Sequence, residues 1–513
     1  MEEYKVLITT SGLGSRLGEL TDYTNKCLIR ISDKPSISYI IESYPKNVNF
    51  VITLGHYGSH VKQFLTLAYP DRNFTYVEID KFKGPGSSLG YSIFKCKDVL
   101  KCPFIFHASD TIVKDFTLPD LSTNWVVGSY KENVSQYRTI LTKNKFVEKI
   151  NEKGELNYVD PYIGLSGIKD YELFFKELET LLLNEEYDIS DVHVINRMLE
   201  TVKFEYKEVK KGNWFDVGNT TELTITRNSF ESNIEVLDKK DESIFFFDDF
   251  VIKFFADETI NKNRIHRAEK LKGLVPELLD YSKNFYKYRK AEGHLFSKSV
   301  NSIKFNNFLN WTQKNLWIDK SHSSFYDNCY NFYVKKTKQR VIQYLKSEND
   351  IEETINGIKV PSVFEVLNSI DNSWLCNGIA SQYHGDFILD NIIETNDGFC
   401  LIDWRQDFSG DLEIGDRYYD LAKLNHNLII NHEIVNHNLF FYNNNECYIY
   451  LNSKLIECQK ILHKFILDNN YDLNKVEVLS SIIWLNMASL HEYPFNHFLF
   501  KFGKYNLYKH INK

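Results

Sequence analysis

The sequence predicts an α/β protein of two domains, a doubly wound sheet followed by a helix-rich second domain. Strand-like and helix-like segments alternate over residues 1 to about 230, the pattern breaks in a polar, charged segment from Glu231 to Ser243, and helical signals dominate from Ile260 onwards. The 513 residues are about three times the usual domain length of roughly 150. We therefore place the domains at 1–232 and 240–513.

In the first domain, continuous apolar runs predict strands and 3.6-residue periods predict helices. The strands are predicted at Tyr4 to Thr10, Asn49 to Leu54, Pro103 to His107 and Asn124 to Ser129, and the helices at Ser36 to Tyr44 and Ser59 to Ala68. Ligands of such sheets bind beyond the carboxyl ends of the strands, and Gly12 and Gly14 directly follow the first strand.

In the second domain, an aromatic hairpin is predicted first, with strands at Ile244 to Phe247 and Phe250 to Phe255 around Asp248-Asp249. Short strands are expected beside Asp386 and Asp403. The helices with the clearest periods are predicted at Asn263 to Leu274, Asp420 to Ile430 and Leu451 to Leu467.

Composition excludes several classes of function. A net charge of −8 without a long basic stripe argues against a nucleic-acid partner. No apolar run of 18 or more residues predicts membrane insertion, and the acidic N-terminus does not resemble a signal peptide, so a cytoplasmic protein is expected. The eight cysteines form no Cys-x-x-Cys pair, so neither a zinc site nor a disulfide framework is indicated.

The loop after the first predicted strand is suited to binding phosphates. Gly12 and Gly14 would let backbone N–H groups approach a triphosphate, while Arg16 and Lys26 would neutralise charge at the attacked phosphate. Taken alone, two glycines after a strand are at least as often a tight turn.

Several further motifs follow that loop in a fixed order. They are Thr9 to Leu17, Asn25 to Pro35, Gly86-Ser87-Ser88, Ser109-Asp110, Glu148-Lys149 and Trp214-Phe-Asp216-Val-Gly218. The series spans almost the whole first domain and resembles the sugar-phosphate nucleotidylyltransferase family. The resemblance implies a Rossmann-like core that joins a phosphomonoester to a nucleoside triphosphate and releases pyrophosphate.

The same resemblance implies a role for each matching residue. Arg16 and Lys26 would supply the catalytic charges, and Gly12, Gly14 and Ser15 would bind the triphosphate. Gly86 and Ser87 would recognise the base. Asp110 and Asp216 would bind Mg²⁺, and Glu148 and Lys149 would bind the acceptor. Two positions depart from the family, which has a small Ala where this chain has Ser11 and a Pro where it has Asn25.

A second phosphate-handling motif lies in the other domain. In His384-Gly-Asp386, the carboxylate could accept a proton from a substrate hydroxyl, while Asn391 and Asp403 could hold Mg²⁺ against ATP phosphates. Together with Lys253 in a strand and Glu269 in the next helix, the motif resembles the choline kinase and aminoglycoside phosphotransferase family over about residues 240 to 430.

That resemblance implies a two-lobed, protein-kinase-like fold. Asp386 would be the catalytic base and His384 a packing residue, Lys253 would contact the phosphates with Glu269 as its partner, and Asp420 would cap a helix. The expected glycine-rich loop is missing, because residues 231 to 260 contain no glycine. The second domain is therefore either active without such a loop or degenerate.

The identity of the acceptor alcohol stays open at this point. An aromatic cage would suit choline, and the candidate rings are Trp311, Trp317, Trp374, Tyr418 and Tyr419. However, Trp404-Arg405 stands where choline kinases have an aromatic residue followed by an acid, which puts Arg405 on the acceptor side. Another polar alcohol or a sugar fits at least as well.

Together the two resemblances predict a bifunctional enzyme. With ATP it would phosphorylate a small alcohol or sugar, and with a second nucleoside triphosphate, CTP or UTP being favoured, it would turn that monoester into an activated precursor for surface glycans. One alternative is an active nucleotidylyltransferase with a degenerate, regulatory kinase-like domain. Another is a nucleotide-binding scaffold with neither activity.

Overall fold

A computed structural model of the chain describes residues 4–155, 158–184, 188–231, 239–323 and 325–513. The chain forms two compact units. Unit 1 comprises Met1–Glu258 and Leu279–Tyr288, and unit 2 comprises Thr259–Leu278 and Arg289–Lys513. The predicted boundary at 232 to 240 falls largely outside the described residues, and it stays a prediction.

Unit 1 is built around a mixed sheet. In chain order its strands are β1 (Lys5–Thr9), β2 (Asn49–Leu54), β3 (Asn73–Glu78), β4 (Phe104–Ala108), β5 (Thr111–Val113), β6 (Asn124–Ser129), β7 (Thr139–Lys143), β8 (Phe146–Asn151), β9 (Asp160–Ile168), β10 (Phe204–Val209) and β11 (Trp214–Asp216). Over the described residues the main sheet has the order β3-β2-β1-β4-β9-β6-β10-β8-β7, while β5 and β11 pair separately.

Strand pairing brings the loops of the candidate site together. β1 runs parallel to β2 and β4, and Thr9 lies opposite Thr53 and Ala108. These strands therefore end at one edge of the sheet, with the segment after β1 beside the segment after β4. The antiparallel pair β5 and β11 adds Asp216, which lies opposite Thr111.

Helices cover both faces of this sheet. They are α1 (Ser36–Glu42), α2 (Gly58–Ala68), α3 (Leu89–Phe94), α4 (Tyr171–Leu183), α5 (Asp191–Met198) and α6 (Thr220–Ser229). Val6 and Ile8 of β1 share a core with Phe64 of α2, whereas Leu7 shares the opposite core with Phe174 of α4. Because alternate residues of β1 are buried on opposite faces, the predicted doubly wound α/β fold of the first domain is confirmed.

A second, smaller sheet follows in the chain. Its strands are β12 (Glu242–Phe246), β13 (Phe250–Phe255), β14 (Leu278–Tyr281) and β15 (Phe285–Arg289). The antiparallel pairing of β12 with β13 confirms the predicted hairpin. Phe245 lies 5.2 Å from Phe64 of α2, measured between ring centroids, and both rings belong to one core. Within unit 1, Phe245 of this hairpin therefore buries its ring against α2.

Unit 2 is mainly helical. Its helices are α7 (Glu258–Lys270, in unit 2 from Thr259), α8 (Phe296–Ser299), α9 (Ser302–Asn315), α10 (Phe325–Cys329), α11 (Lys336–Tyr344), α12 (Val363–Asn368), α13 (Asn372–Leu375), α14 (Arg417–Ile429), α15 (His432–Asn436), α16 (Ser453–Asp468), α17 (Leu473–Ala488) and α18 (Phe495–Ile511). A π-helical segment, Tyr330–Lys335, joins α10 to α11.

Short strands complete unit 2. They are β16 (His294–Leu295), β17 (Glu353–Ile355), β18 (Ile358–Val360), β19 (Ala380–Ser381), β20 (Ile392–Thr395), β21 (Gly398–Leu401), β22 (Gly415–Asp416), β23 (Phe440–Tyr442) and β24 (Cys447–Ile449). β20 and β21 form a hairpin in which Ile392 lies opposite Leu401, and the Ile402 N–H donates to the Asn391 carbonyl at 2.9 Å. This hairpin places Asn391 beside the segment that carries Asp403.

Two predicted helices are shifted along the chain. The helix predicted at Asn263 to Leu274 is α7, which begins earlier and ends before Gly273, where φ is 87°. The helix predicted to start at Asp420 is α14, which starts at Arg417 with Asp416 as its N-cap. In the described part of the chain, no helix is both long and apolar enough to span a bilayer.

His107 makes the stability of unit 1 depend on pH. The buried ring accepts a hydrogen bond from the Tyr44 hydroxyl at 2.8 Å and lies 2.9 Å from the Thr111 carbonyl, which suits the neutral form. Burial lowers its pKa from 6.5 to about 4. Because the unfolded chain binds the proton more tightly, this contribution is lost as the pH falls from 6.5 towards 4, up to about 3 kcal/mol.

We expect His107→Gln, which keeps a donor and an acceptor but cannot titrate, to flatten this acid loss. The measurement is the thermal unfolding midpoint of both proteins at neutral and mildly acidic pH. An equal fall of the midpoint in both proteins would contradict the assignment.

Candidate functional site

The loop after β1 is shaped by Gly14, which has a φ of 70°. A Cβ there would lie 2.9 Å from the Cβ of Lys26, so a side chain would be both strained and in collision. Gly12, Ser15 and Arg16 are exposed in the same loop. The glycine thus allows Lys26 to pack directly against the predicted phosphate loop.

Asn25 anchors this arrangement. Its buried amide nitrogen donates to the carbonyls of Thr10 and His56, at 2.7 and 2.6 Å, and its oxygen accepts from the Cys27 N–H at 3.0 Å. The departure from the family's proline therefore has a physical role, because three hydrogen bonds fix the turn that precedes Lys26. A lone Asn gave no sequence signal of this role.

We expect Asn25→Ala to destabilise unit 1 by about 1–3 kcal/mol, since it leaves buried polar groups unsatisfied. Denaturant unfolding of the variant measures this directly. Asn47→Ala, at an exposed position of the same unit, is the control and should change stability by less than about 0.5 kcal/mol.

Four charged residues converge at the sheet edge. The Lys26 ammonium lies 2.9 Å from an Asp110 carboxylate oxygen. A Cβ on Gly218 would lie 3.0 Å from Oδ1 of Asp216, 3.3 Å from Oδ2 of Asp110 and 3.3 Å from Nη2 of Arg16. The structure thus brings together the predicted residues Arg16, Lys26, Asp110 and Asp216, and Gly218 leaves little room beside three of them.

The two carboxylates differ in their electrostatics. Burial would raise the pKa of Asp110, but the charges of Lys26 and Arg16 outweigh it and the pKa is lowered. Burial and the neighbouring Asp110 raise the pKa of Asp216. Its oxygens accept hydrogen bonds from the Tyr137 hydroxyl at 2.6 Å and the Gly218 N–H at 2.7 Å. Tyr137 is a site residue that no sequence motif indicated.

This pair of carboxylates fits the Mg²⁺ that the resemblance implies. Asp110 and Asp216 offer hard oxygen donors close to one another, and a divalent cation would relieve their repulsion. Over the described residues no group of three or more His, Cys, Asp or Glu side chains forms a metal site. Two carboxylates suffice where Mg²⁺ also takes substrate phosphates as ligands.

The other residues predicted for this reaction lie in more exposed segments. Gly86 has a φ of 82°, and the Ser87 hydroxyl donates to the Gly84 carbonyl at 2.7 Å. Glu148 and Lys149 are exposed on β8, where they form ion pairs of 3.9 Å with Lys143 and 3.3 Å with Glu155 respectively. Their roles in base and acceptor binding stay predictions.

In unit 2, the loop around Asp386 joins the residues that the second motif predicted. The Asn391 amide donates to the Asp386 carbonyl at 2.9 Å and to its carboxylate Oδ2 at 3.2 Å. The other oxygen, Oδ1, lies 2.7 Å from the ammonium of Lys423, and the Asp386 side chain is 38% exposed. Asp386 is therefore fixed in position and still accessible to solvent.

Lys423 keeps Asp386 ionised. Burial alone would raise the pKa of this carboxyl, but the charge and hydrogen bond of Lys423 outweigh it, so the pKa is lowered. Burial opposes the charge of Lys423 as well, yet Asp386 raises the pKa of the lysine. Lys423 comes from α14, far along the chain, and sequence reasoning missed it.

Asp420 anchors the loop around Asp386 and is not the predicted helix cap. It lies inside α14, fully buried, and its carboxylate accepts hydrogen bonds from the N–H groups of His384 at 2.8 Å and Gly385 at 2.7 Å. His384 packs as predicted. Its Nδ1 accepts from the Asp386 N–H at 3.3 Å and its Nε2 lies 3.0 Å from the Ile402 carbonyl, while burial lowers its pKa to about 4.

Two arginines of α7 hold the loops of this site. Arg267 is buried and donates to the carbonyls of Tyr383, His384 and Arg405. Arg264 forms an ion pair with Asp403, whose φ of 55° is strained for a residue with a side chain. Neither arginine was singled out from the sequence.

The two residues predicted to form an ion pair, Lys253 and Glu269, belong to different units. Lys253 is buried in β13, in unit 1, and Glu269 is exposed on α7, in unit 2. Their ion pair and their contact with ATP phosphates stay predictions.

The five aromatic residues considered for a cation cage contact several different partners. Trp374 and Tyr418 already flank the ammonium of Lys475, at 5.5 and 4.6 Å from their ring centroids. Trp311 contacts Phe399, Trp317 contacts Phe387 and Tyr419 contacts Phe332. In the described part of the chain, no direct ring contact joins two of the five candidates.

Comparison with known proteins finds relatives for the N-terminal part. No family model matches the chain. Choline-phosphate cytidylyltransferase from Streptococcus pneumoniae is 24% identical over 240 residues, which cover 39% of this chain and 99% of that protein. The bifunctional protein GlmU of Methanococcus vannielii is 26% identical over 235 residues, 44% of this chain. The match spans only 55% of that GlmU protein.

Solved structures give weaker likenesses. CTP:phosphocholine cytidylyltransferase from Streptococcus pneumoniae aligns with a TM-score of 0.38 at 19% identity, over 44% of this chain and 98% of that one. The inositol-1-phosphate CTP transferase from T. maritima aligns with a TM-score of 0.37 at 15% identity, over 46% of this chain and 99% of that one. The N-terminal part of the chain is thus similar in sequence to nucleotidylyltransferases.

Proposed function

We propose that the chain is a bifunctional enzyme that makes and then activates a small phosphomonoester. Unit 2 transfers the γ-phosphoryl group of ATP to the hydroxyl of a small alcohol or sugar. Unit 1 transfers a nucleotidyl group to the resulting monoester and releases pyrophosphate. The observation that carries this proposal is the convergence of Arg16, Lys26, Asp110 and Asp216 around Gly218. Sequence similarity to a choline-phosphate cytidylyltransferase over 99% of that protein's length supports the nucleotidyl transfer proposed for unit 1.

In unit 1, a phosphate oxygen of the monoester attacks the α-phosphorus of the nucleoside triphosphate. One P–O bond forms, the bond to the β-phosphate breaks, and pyrophosphate leaves. Arg16 and Lys26 stabilise the negative charge that develops on the α-phosphate. Asp110 and Asp216 would hold Mg²⁺, which when bound supplies charge that offsets the triphosphate.

In unit 2, Asp386 orients the acceptor hydroxyl and takes its proton while the oxygen bonds to the γ-phosphorus of ATP and ADP leaves. Asn391 and Asp403 would hold Mg²⁺, which when bound supplies charge that offsets the ATP phosphates. Asp420 positions the loop through the backbone of His384 and Gly385.

A degenerate, regulatory second unit is the alternative, and two observations favour it. Arg264 forms an ion pair with Asp403. This arginine would compete with Mg²⁺ for the carboxylate. The missing glycine-rich loop points the same way, since the β12–β13 turn is closed by a Phe247 N–H to Phe250 carbonyl bond of 2.9 Å around two aspartates. We nevertheless favour kinase activity over a degenerate unit, because Asp386 is accessible and ionised and accepts a hydrogen bond from the Asn391 amide.

The proposed product is a nucleoside-diphosphate-linked alcohol or sugar, a precursor for surface glycans, with CTP or UTP as the nucleotidyl donor. The test combines the purified chain and Mg²⁺ with each nucleoside triphosphate and a panel of phosphomonoesters, and measures pyrophosphate release. Release with CTP or UTP is expected. A lack of pyrophosphate across the whole panel would refute the function proposed for unit 1.

A further inference from the structure

A cluster of cations lies beside Asp386, and its centre is the ring of Phe332. The ammonium of Lys336 lies 4.1 Å and the guanidinium carbon of Arg405 4.9 Å from the centroid of that ring. Phe332 belongs to the π-helical segment Tyr330–Lys335, and such segments recur at functional sites. Two cations on one aromatic ring define a small, positively charged surface, which we name the Phe332 cluster.

The cluster is continuous with the catalytic loop. A Cβ on Gly385 would meet the Cβ of Arg405 at 2.7 Å and its Cδ at 3.1 Å, and the Arg405 N–H donates to the His384 carbonyl at 3.0 Å. Tyr419 packs edge-on against Phe332, with 4.9 Å between ring centroids. Lys423 follows Tyr419 by one helical turn of α14, on the same face. The cluster therefore reaches the lysine that pairs with Asp386.

Positive charge exceeds negative charge at this place. Arg340, Arg405 and Lys423 all act on Lys336, and Asp407 is the carboxylate that opposes them. Asp386 neutralises Lys423 at 2.7 Å. The cationic side chains of Arg340, Arg405 and Lys423 thus lie around Lys336, with Asp407 and Asp386 as opposing carboxylates. Burial, followed by the charges of Arg405 and Arg340, lowers the pKa of Lys336 to about 6, so the protein alone does not stabilise the charge of this lysine.

In the proposed kinase step, the cluster would lie on the acceptor side of Asp386. The two carboxylate oxygens point to different neighbours, because Oδ2 accepts from Asn391, a predicted metal ligand, and Oδ1 faces Lys423. ATP and Mg²⁺ would occupy the Asn391 side. A hydroxyl that approaches Oδ1 brings the rest of its molecule towards the Phe332 cluster.

We infer that the alcohol phosphorylated in unit 2 carries an anionic group, a carboxylate or a phosphate, which Lys336 and Arg405 bind while Asp386 orients the hydroxyl. The inference rests on the proposed kinase function. It argues against choline as the acceptor, because a quaternary ammonium would be repelled by the positive charges of the Phe332 cluster. The hydroxyl proton passes to Asp386, the oxygen bonds to the γ-phosphorus, and ADP leaves.

Matched pairs of compounds test this inference on the full chain. Calorimetric titration with ADP and Mg²⁺ present compares glycerate with glycerol, gluconate with glucitol and galacturonate with galactose. Glycerol 3-phosphate distinguishes a phosphate from a carboxylate as the anion, and choline represents a cation. At least one acid is expected to bind ten-fold or more tightly than its neutral partner, since a charge-assisted contact contributes roughly ten-fold or more to affinity.

Variants of two lysines on α11 locate the binding. Lys336→Met should weaken the preferred acid about ten-fold or more, and Lys336→Arg should restore most of that loss. Lys338→Met is the control, because the Lys338 ammonium donates to Asn368 at 3.1 Å on another side of the helix. It should leave the affinity unchanged.

The outcomes separate this inference from the kinase proposal. Binding of an acid that depends on Lys336, without phosphorylation by ATP, would refute the kinase step and keep the anion site. Phosphorylation of a neutral or cationic alcohol that is indifferent to Lys336→Met would keep the kinase and overturn the inference. The inference is also overturned if no acid binds more tightly than its neutral partner.

Discussion

Asp386→Asn is expected to lower phosphoryl transfer from ATP to the alcohol by a factor of about 10²–10⁴, the usual contribution of a positioned general base. The amide keeps the size of the side chain but cannot take the proton, and it loses the ion pair with Lys423. Nucleotidyl transfer to a phosphomonoester supplied from outside should continue. Mass spectrometry of both products, with one substrate set for each unit, measures the two rates separately.

Asp390→Asn is the matched control, since Asp390 lies in the same loop and its carboxylate is 3.4 Å from His432. That variant should keep most of the phosphoryl transfer. If Asp386→Asn and the unchanged protein phosphorylated the alcohol at equal rates, Asp386 would not be the catalytic base, and the degenerate second unit would become the better account.

Asp110→Asn is expected to lower nucleotidyl transfer by a factor of about 10²–10³, as losses of charged groups at a reacting phosphate typically do. The variant removes the partner of Lys26 and one of the two carboxylates proposed for Mg²⁺. With ATP and the alcohol present, the monoester should accumulate and the nucleotide-linked product should be lost.

Asp98→Asn provides the control for that prediction, because Asp98 forms an exposed ion pair with Lys101. It should leave both products unchanged. Loss of the monoester itself in Asp110→Asn would contradict the assignment of the two steps to separate sites.

The first unit could be predicted well from the sequence, since its site is carried by residues that directly follow strands. Gly12 and Gly14 follow β1 and Asp110 follows β4, so parallel pairing was enough to bring them together. Asn25 and Tyr137 could not be found in this way. Their roles come from hydrogen bonds between side chains and distant segments, which the motif around Asn25 does not predict and which no motif indicates for Tyr137.

The site of the second unit could be predicted less completely from the sequence. The motif residues Asp386, Asn391 and Asp403 are close in the sequence, and their hairpin follows from local pairing. Lys423, Asp420 and the arginines of α7 come from distant helices. Their position depends on how those helices pack, which amphipathic periods alone do not determine. The packing of the β12–β13 hairpin on α2 was missed for the same reason, because an apolar strand does not specify its partner.

The central claim, that one chain performs both steps in order, is tested most directly by following the γ-phosphate of labelled ATP. The full chain is supplied with γ-labelled ATP, the alcohol that it phosphorylates, Mg²⁺ and an excess of CTP or UTP. The account predicts that the label appears in the nucleotide-linked product, in the phosphate next to the alcohol, and that it stops in the monoester in Asp110→Asn. An unlabelled nucleotide-linked product, or a labelled one that Asp386→Asn makes equally well, would contradict it.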